Sequence, residues 1–108
     1  MSSLVLLGDE TRRLLSEAMG IVLSTGAELA NTPLTSKASA DFIRRCMALK
    51  ARIKARNADP EISNLERDLN NQRMTTLHNI AMLEASINLQ KPSGGVRLFA
   101  DGHIVLVR

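Results

Sequence analysis

Arg56-Asn57-Ala58-Asp59-Pro60-Glu61 separates two long stretches of helical periodicity, and its reading decides the fold. Asp59 carries a side chain suited to a helix N-cap. Pro60 suits the first helical position, where a missing N–H costs nothing. Glu61 places an acid at a helix N-terminus, while Arg52, Lys54 and Arg56 place bases at the preceding C-terminus; both oppose the local helix dipole charge. Two helices joined by so short a turn lie antiparallel. The sequence therefore predicts a helical hairpin over residues 36–90.

Upstream of the turn, helix 2 is expected from Ser36 or Ser39 to about Arg56. Phe42, Cys46, Leu49 and Ile53 recur at spacings of four, three and four, a coiled-coil type of seam broadened by Ile43 and Met47. Downstream, helix 3 is expected from Pro60 to about Leu89, roughly 45 Å long at the helical rise. Ile62, Leu65 and Leu69 begin its seam; Leu77, Ile80, Leu83 and Ile87 resume it, with Met74 and Met82 alongside. Asn70-Asn71-Gln72-Arg73 interrupts the seam. The preferred reading is a solvated patch beyond the end of a partner helix, and the alternative is a buried polar layer that sets register. Helix 3 outreaches helix 2, so its Leu77–Ile87 half needs another cover.

Outward from this hairpin, residues 1–35 read as an N-terminal strand (Ser3–Leu7), a helix and a loop. Asp9 is placed as the cap of a helix from Glu10 to about Ala30. Leu15, Met19, Val22 and Leu29 line that helix, widened by Leu14, Ala18 and Leu23. Gly20 and Gly26 within it mark either close helix approach or a weakened second half. Pro33 ends it in a loop. At the other end, residues 91–95 form a Pro/Gly hinge before a β-hairpin over 96–108, signalled by Asp101-Gly102 between two β-prone runs. A two-residue turn would pair Leu98 with Val105. A three-residue turn with Gly102 in a bulge would gather Val96, Leu98, Ile104 and Leu106 on one face and Arg97, Phe99, His103 and Val105 on the other; this register is preferred because it separates apolar from mixed. Such a ribbon needs a helix to bury against. Its own helix 3 is one home and a neighbouring chain is the other, the neighbour being favoured because open aliphatic edges invite pairing. The fold class is thus mainly α: three helices, helices 2 and 3 forming an antiparallel hairpin, plus a C-terminal β-hairpin, all in one domain spanning residues 1–108.

Composition narrows the chemistry. The 108 residues carry a net charge of +3, one cysteine, no Trp and no Tyr; Phe42 and Phe99 are the only aromatics. Single-stranded nucleic-acid binding by base stacking needs aromatic platforms that this chain lacks. A lone Cys46 excludes an intrachain disulfide and fits a reducing compartment. No run approaches the roughly 20 apolar residues of a membrane span. A cytoplasmic location with no membrane partner is expected.

No catalytic or metal-binding set is legible. Leu4-Val-Leu-Leu-Gly-Asp-Glu-Thr11 resembles the opening block of the GDSL-type esterases over these residues alone. Glu10 stands where that family has its nucleophilic serine, so the resemblance implies no activity. His78 and His103 have no ligand partner at metal-binding spacing, and Cys46 lies in the helix 2 seam as a buried thiol. No phosphate loop or dinucleotide fingerprint is present. The chain is expected not to be an enzyme and to need no cofactor or metal.

Two surfaces stand out. Leu77, Ile80, Leu83 and Ile87 of helix 3, with Val96, Leu98, Phe99, Ile104 and Leu106 of the hairpin, form a candidate protein interface. They predict a small homo-oligomeric interaction protein, of the adaptor, regulatory-inhibitor or chaperone-like kind, that binds another protein. Arg44, Arg45, Lys50, Arg52, Lys54 and Arg56 form a basic run on helix 2. It is either a solvated helix back paired with Glu61, Glu66 and Asp68, or a phosphate-contacting face of a nucleic-acid-associated oligomer.

Overall fold

The computed structural model describes residues 7–31, 36–89, 95–99, 101 and 103–107. The strand expected at Ser3–Leu7, the loop around Pro33, most of the hinge at 91–95 and the bulge residue Gly102 lie outside the described residues, apart from Leu7 and Gly95. Three helices, α1 (Asp9–Asn31), α2 (Ser36–Asn57) and α3 (Asn64–Leu89), precede a two-stranded antiparallel sheet of β1 (Gly95–Leu98) and β2 (Ile104–Val107). The mainly α architecture with a helical hairpin and a terminal β-hairpin is the one expected.

The α2–α3 turn works differently from the sequence expectation. Helix α3 begins at Asn64, four residues later than Pro60. Ser63 is its cap: the Ser63 hydroxyl accepts the Glu66 N–H at 3.2 Å, and the Ser63 carbonyl accepts that of Arg67 at 3.1 Å. Asp59 instead folds a local turn, its Oδ1 accepting the Glu61 N–H at 2.9 Å. Two cap signals lie four residues apart, and the chain uses the second. The antiparallel register survives, as Asn57 meets Asn70, Lys50 meets His78 and Ser39 meets Glu84.

Helix α1 also starts one residue early. The Arg12 N–H bonds to the Gly8 carbonyl at 3.0 Å, so Gly8 occupies the cap position and Asp9 pairs with Arg12 on the surface. The cap side chain comes from α3: Gly8 N–H donates to Glu66 Oε1 at 2.9 Å. Arg52 of α2 holds Glu17 of α1 at 2.7 Å, fixing these two helices antiparallel.

The hairpin takes the register of the three-residue turn: Val96 faces Leu106, Arg97 faces Val105 and Leu98 faces Ile104. Phe99 N–H closes it on the His103 carbonyl at 2.9 Å, and Asp101 Oδ1 accepts the His103 N–H at 2.8 Å. The hairpin packs on its own chain, β1 against α3 and both strands against α2. Its expected place on a neighbour is corrected here: β1 lies against α3 of its own chain, whose Ala81 and Ala85 are buried in the same core. Val96 and Leu98 thereby join one core with Leu14, Ile43, Ile53 and Leu77.

The radius of gyration is 15.2 Å, with extents of 48 × 28 × 15 Å. A compact chain of this length has a radius of about 13 Å. The molecule is therefore a flat slab in which much helix surface faces outward.

Candidate functional site

Helix α3 buries Leu77 of the expected seam but otherwise a side that the seam reading did not choose. Glu66, Asn70, Leu77, Ala81, Glu84 and Ala85 are buried. At about 100° per residue, Leu65, Leu69, Ile80, Leu83 and Ile87 form a separate stripe roughly a quarter-turn or more around the helix. Leu65 is 38% exposed and Leu83 49%; Leu69 and Ile87 are half-buried, and Ile80 rests partly on the core. Small and polar side chains face inward because the partners they meet are close or polar. The Ser39 hydroxyl of α2 donates to Glu84 Oε1 at 2.5 Å, and Asn70 Nδ2 donates to Asn57 Oδ1 at 2.8 Å. The solvated reading of Asn70-Asn71-Gln72-Arg73 thus fails at Asn70, which is fully buried, and holds at the exposed Asn71 and Gln72. The buried polar layer joins α2 and α3 of one chain.

The expected interface residues separate accordingly. Leu77, Val96 and Leu98 belong to the chain's own core, and Ile104 packs against it. Leu83, Phe99 and Leu106 are exposed, and Phe99 lies beside the His103 ring with centroids 5.8 Å apart.

The basic run of α2 does not form one face. Arg44 pairs with Asp41 at 3.0 Å, Arg45 lies over the Phe42 ring at 5.6 Å, and Arg52 forks onto Glu17. Arg56, only 23% exposed, is enclosed: its guanidinium reaches Thr11 at 3.1 Å, Asp59 at 3.3 Å and Glu66 at 3.3 Å. Of the expected acids Glu61, Glu66 and Asp68, Glu66 alone pairs with this run among the described residues; Asp41, Glu17 and Asp59 supply the rest. Burial by itself would raise the Glu66 pKa. The Gly8 N–H, the Thr11 hydroxyl and Arg56 outweigh it and hold the carboxyl below its ordinary value. This cluster ties α1, the α2–α3 turn and α3 together, with each group engaged by another.

Lys50 and Lys54 remain. Both line a groove of about 720 Å³ between α2 and α3, facing Arg67 and His78 of α3. Lys50 Nζ lies 3.3 Å from His78 Nδ1, and Arg67 donates to the Asp59 carbonyl at 3.3 Å. Asn57 and Asn71 also line it, joined by a 2.9 Å amide hydrogen bond. Among the described residues no carboxylate lies within ion-pair distance of Lys50, Lys54 or Arg67. Sequence reading missed Arg67 and His78 because they reach the lysines only through the antiparallel register.

Cys46 is fully buried in the core. No group of three or more His, Cys, Asp or Glu among the described residues could hold a metal ion, and none of the described helices is long and apolar enough to cross a membrane. No family model, curated protein or solved structure matches this chain.

Proposed function

We propose that this chain is a non-enzymatic interaction protein of the adaptor, regulatory-inhibitor or chaperone-like kind, and that its first partner is a second copy of itself. One observation carries the reading: α3 turns Glu66, Asn70 and Glu84 inward and leaves Leu65 and Leu83 outward. Isolated exposed leucines are ordinary, but a stripe from Leu65 to Ile87 runs some 33 Å along one helix. Stripes of this kind are built for helix-to-helix packing.

Charge favours a second copy as the occupant. Each chain carries +3, so two copies repel unless the contact itself is neutral. The charges beside the stripe balance: Gln72, Asn79, Ser86 and Asp68 lie along one flank, and Arg73 lies on the other. Pairing of like stripes is also the arrangement a two-fold dimer requires.

Sedimentation equilibrium with interference optics tests this, since the chain has no Trp or Tyr for ordinary absorbance. A dimer is expected at micromolar concentration, and Leu83→Asp should return it to monomer while far-UV circular dichroism stays helical. A wild-type monomer across the whole range overturns self-association. Should that monomer then capture a host protein in a manner lost with Leu83→Asp, the stripe serves a different partner.

A further inference from the structure

We propose that the α2–α3 groove is an anion site for a small ligand bearing two or more linked phosphates. The argument starts from charge. On α2, Arg44, Arg52 and Arg56 each have a carboxylate; Lys37 and Arg45 have none but lie outside the groove, whereas Lys50, Lys54 and Arg67 share one concavity with no ion-paired carboxylate among the described residues. Lys50 and Lys54 stand one turn apart on the same helix, where like charges destabilise slightly. Gathering three cations in one groove disfavours the fold slightly and favours a multiply charged anion strongly.

Lys50 and Arg67 are also held in place. The walls are two packed helices, and Asn57 is fixed between Asn70 and Asn71 by amide hydrogen bonds of 2.8 and 2.9 Å. An ammonium beside His78 Nδ1 makes that nitrogen the acceptor, which puts the proton of the neutral ring on Nε2. His78 then adds a neutral donor to the three charged ones. Arg67 gives one bond to the Asp59 carbonyl and keeps further N–H groups for a ligand. Preorganised donors of this kind lower the ordering cost of binding.

Size and shape select a small ligand over a nucleic acid. The groove volume of about 720 Å³ falls in the range of small-molecule sites. Duplex readers insert a protruding element into a DNA groove, and this surface is concave. Strand binders stack successive bases on Phe, Tyr or Trp rings, and none of these lines this groove.

The test uses the full chain and inorganic pyrophosphate, followed by the His78 ring resonances in NMR and by calorimetry at about 50 mM salt. Pyrophosphate should shift the His78 signals saturably and bind about tenfold more tightly than sulfate. Lys54→Gln and Arg67→Gln should each weaken binding about tenfold, whereas Lys37→Gln, exposed on the same helix outside the groove, should change it less than twofold. Circular dichroism confirms that each variant folds. Absence of a saturable His78 shift overturns the site. Equal weakening by Lys37→Gln overturns it too, because net charge alone would then explain binding. A single-stranded RNA of about 20 nucleotides that binds more tightly than pyrophosphate and is not displaced by it overturns the small-ligand assignment in favour of nucleic acid.

Discussion

Helices α1 and α3 solve the same packing problem in opposite ways. Helix α1 buries mainly Leu14, Leu15, Ala18 and Ile21 and turns Arg12, Arg13 and Glu17 outward; Leu23, 67% exposed, and Met19 are its exposed exceptions, Thr11 and Thr25 its buried polar ones. Helix α3 buries Glu66, Asn70 and Glu84 beside two alanines and leaves a leucine stripe outside. A helix whose neighbours are apolar is positioned by hydrophobic area. A helix that receives a hydroxyl, an amide and a guanidinium from its neighbours is positioned by hydrogen-bonded polar groups, Asn70 Oδ1 being a buried oxygen left without a partner, and its apolar residues become available for something else.

The sharpest way to break this comparison is to remove a polar partner from α3. Arg56→Ala leaves Glu66 buried without its cation and should cost about 3–5 kcal/mol, read by denaturant unfolding. A loss under about 1 kcal/mol would mean that the cluster does not position α3. Acid should act on the same group with a defined sign. The folded pKa of Glu66 is lowered, so its contribution is fully present above the unfolded value near 4.3 and is lost as pH falls through the lower folded value. The melting temperature should decline with acid in that window, and Glu66→Gln should flatten that part of the decline.

The two faces of α3 can then be set against each other. Ala81→Leu adds bulk at a fully buried core position and should destabilise by about 1–3 kcal/mol. Leu83→Gln removes apolar surface outside and, compared with wild type at concentrations where both are monomeric, should change stability by less than about 0.5 kcal/mol. Hydrophobic periodicity alone predicts the reverse order. The smallest effect belongs to α1. A Cβ at Gly20 meets nothing within 4 Å, so close helix approach is not its purpose. Gly20→Ala should stabilise by about 0.5–1 kcal/mol, measured by thermal melts.

The contrast also explains what could be read in advance. Helix α2 was legible from Phe42, Cys46, Leu49 and Ile53, because all four face the core they predict. The hairpin register was legible because one pairing alone separates Val96, Leu98, Ile104 and Leu106 from the mixed face. The inner side of α3 was not, since Ala81 and Ala85 carry little hydrophobic signal and Glu66 and Glu84 carry the wrong one. Their partners Thr11 and Ser39 lie 55 and 45 residues away in sequence. The basic run was misleading for the same reason: Arg52 finds Glu17 across 35 residues, so local charge counting could not foresee its neutralisation. Half of the anion groove, Lys50 and Lys54, stood out as unusual; the other half required α3 to be folded back with Arg67 and His78 in register.

That the first turn of α1 is capped by a side chain of α3 has a kinetic consequence. Gly8 and Glu66 are separated by 58 residues, so the cap cannot form until the helical hairpin has closed and α1 has docked. Local α2–α3 contacts cost less chain entropy and form first. Thr11→Val should therefore leave the refolding rate nearly unchanged and speed unfolding, as seen in the two arms of a chevron plot. On this order of events, α1 is the last helix to arrive and the first to leave, and how long the native state survives depends on how firmly Glu66 holds it.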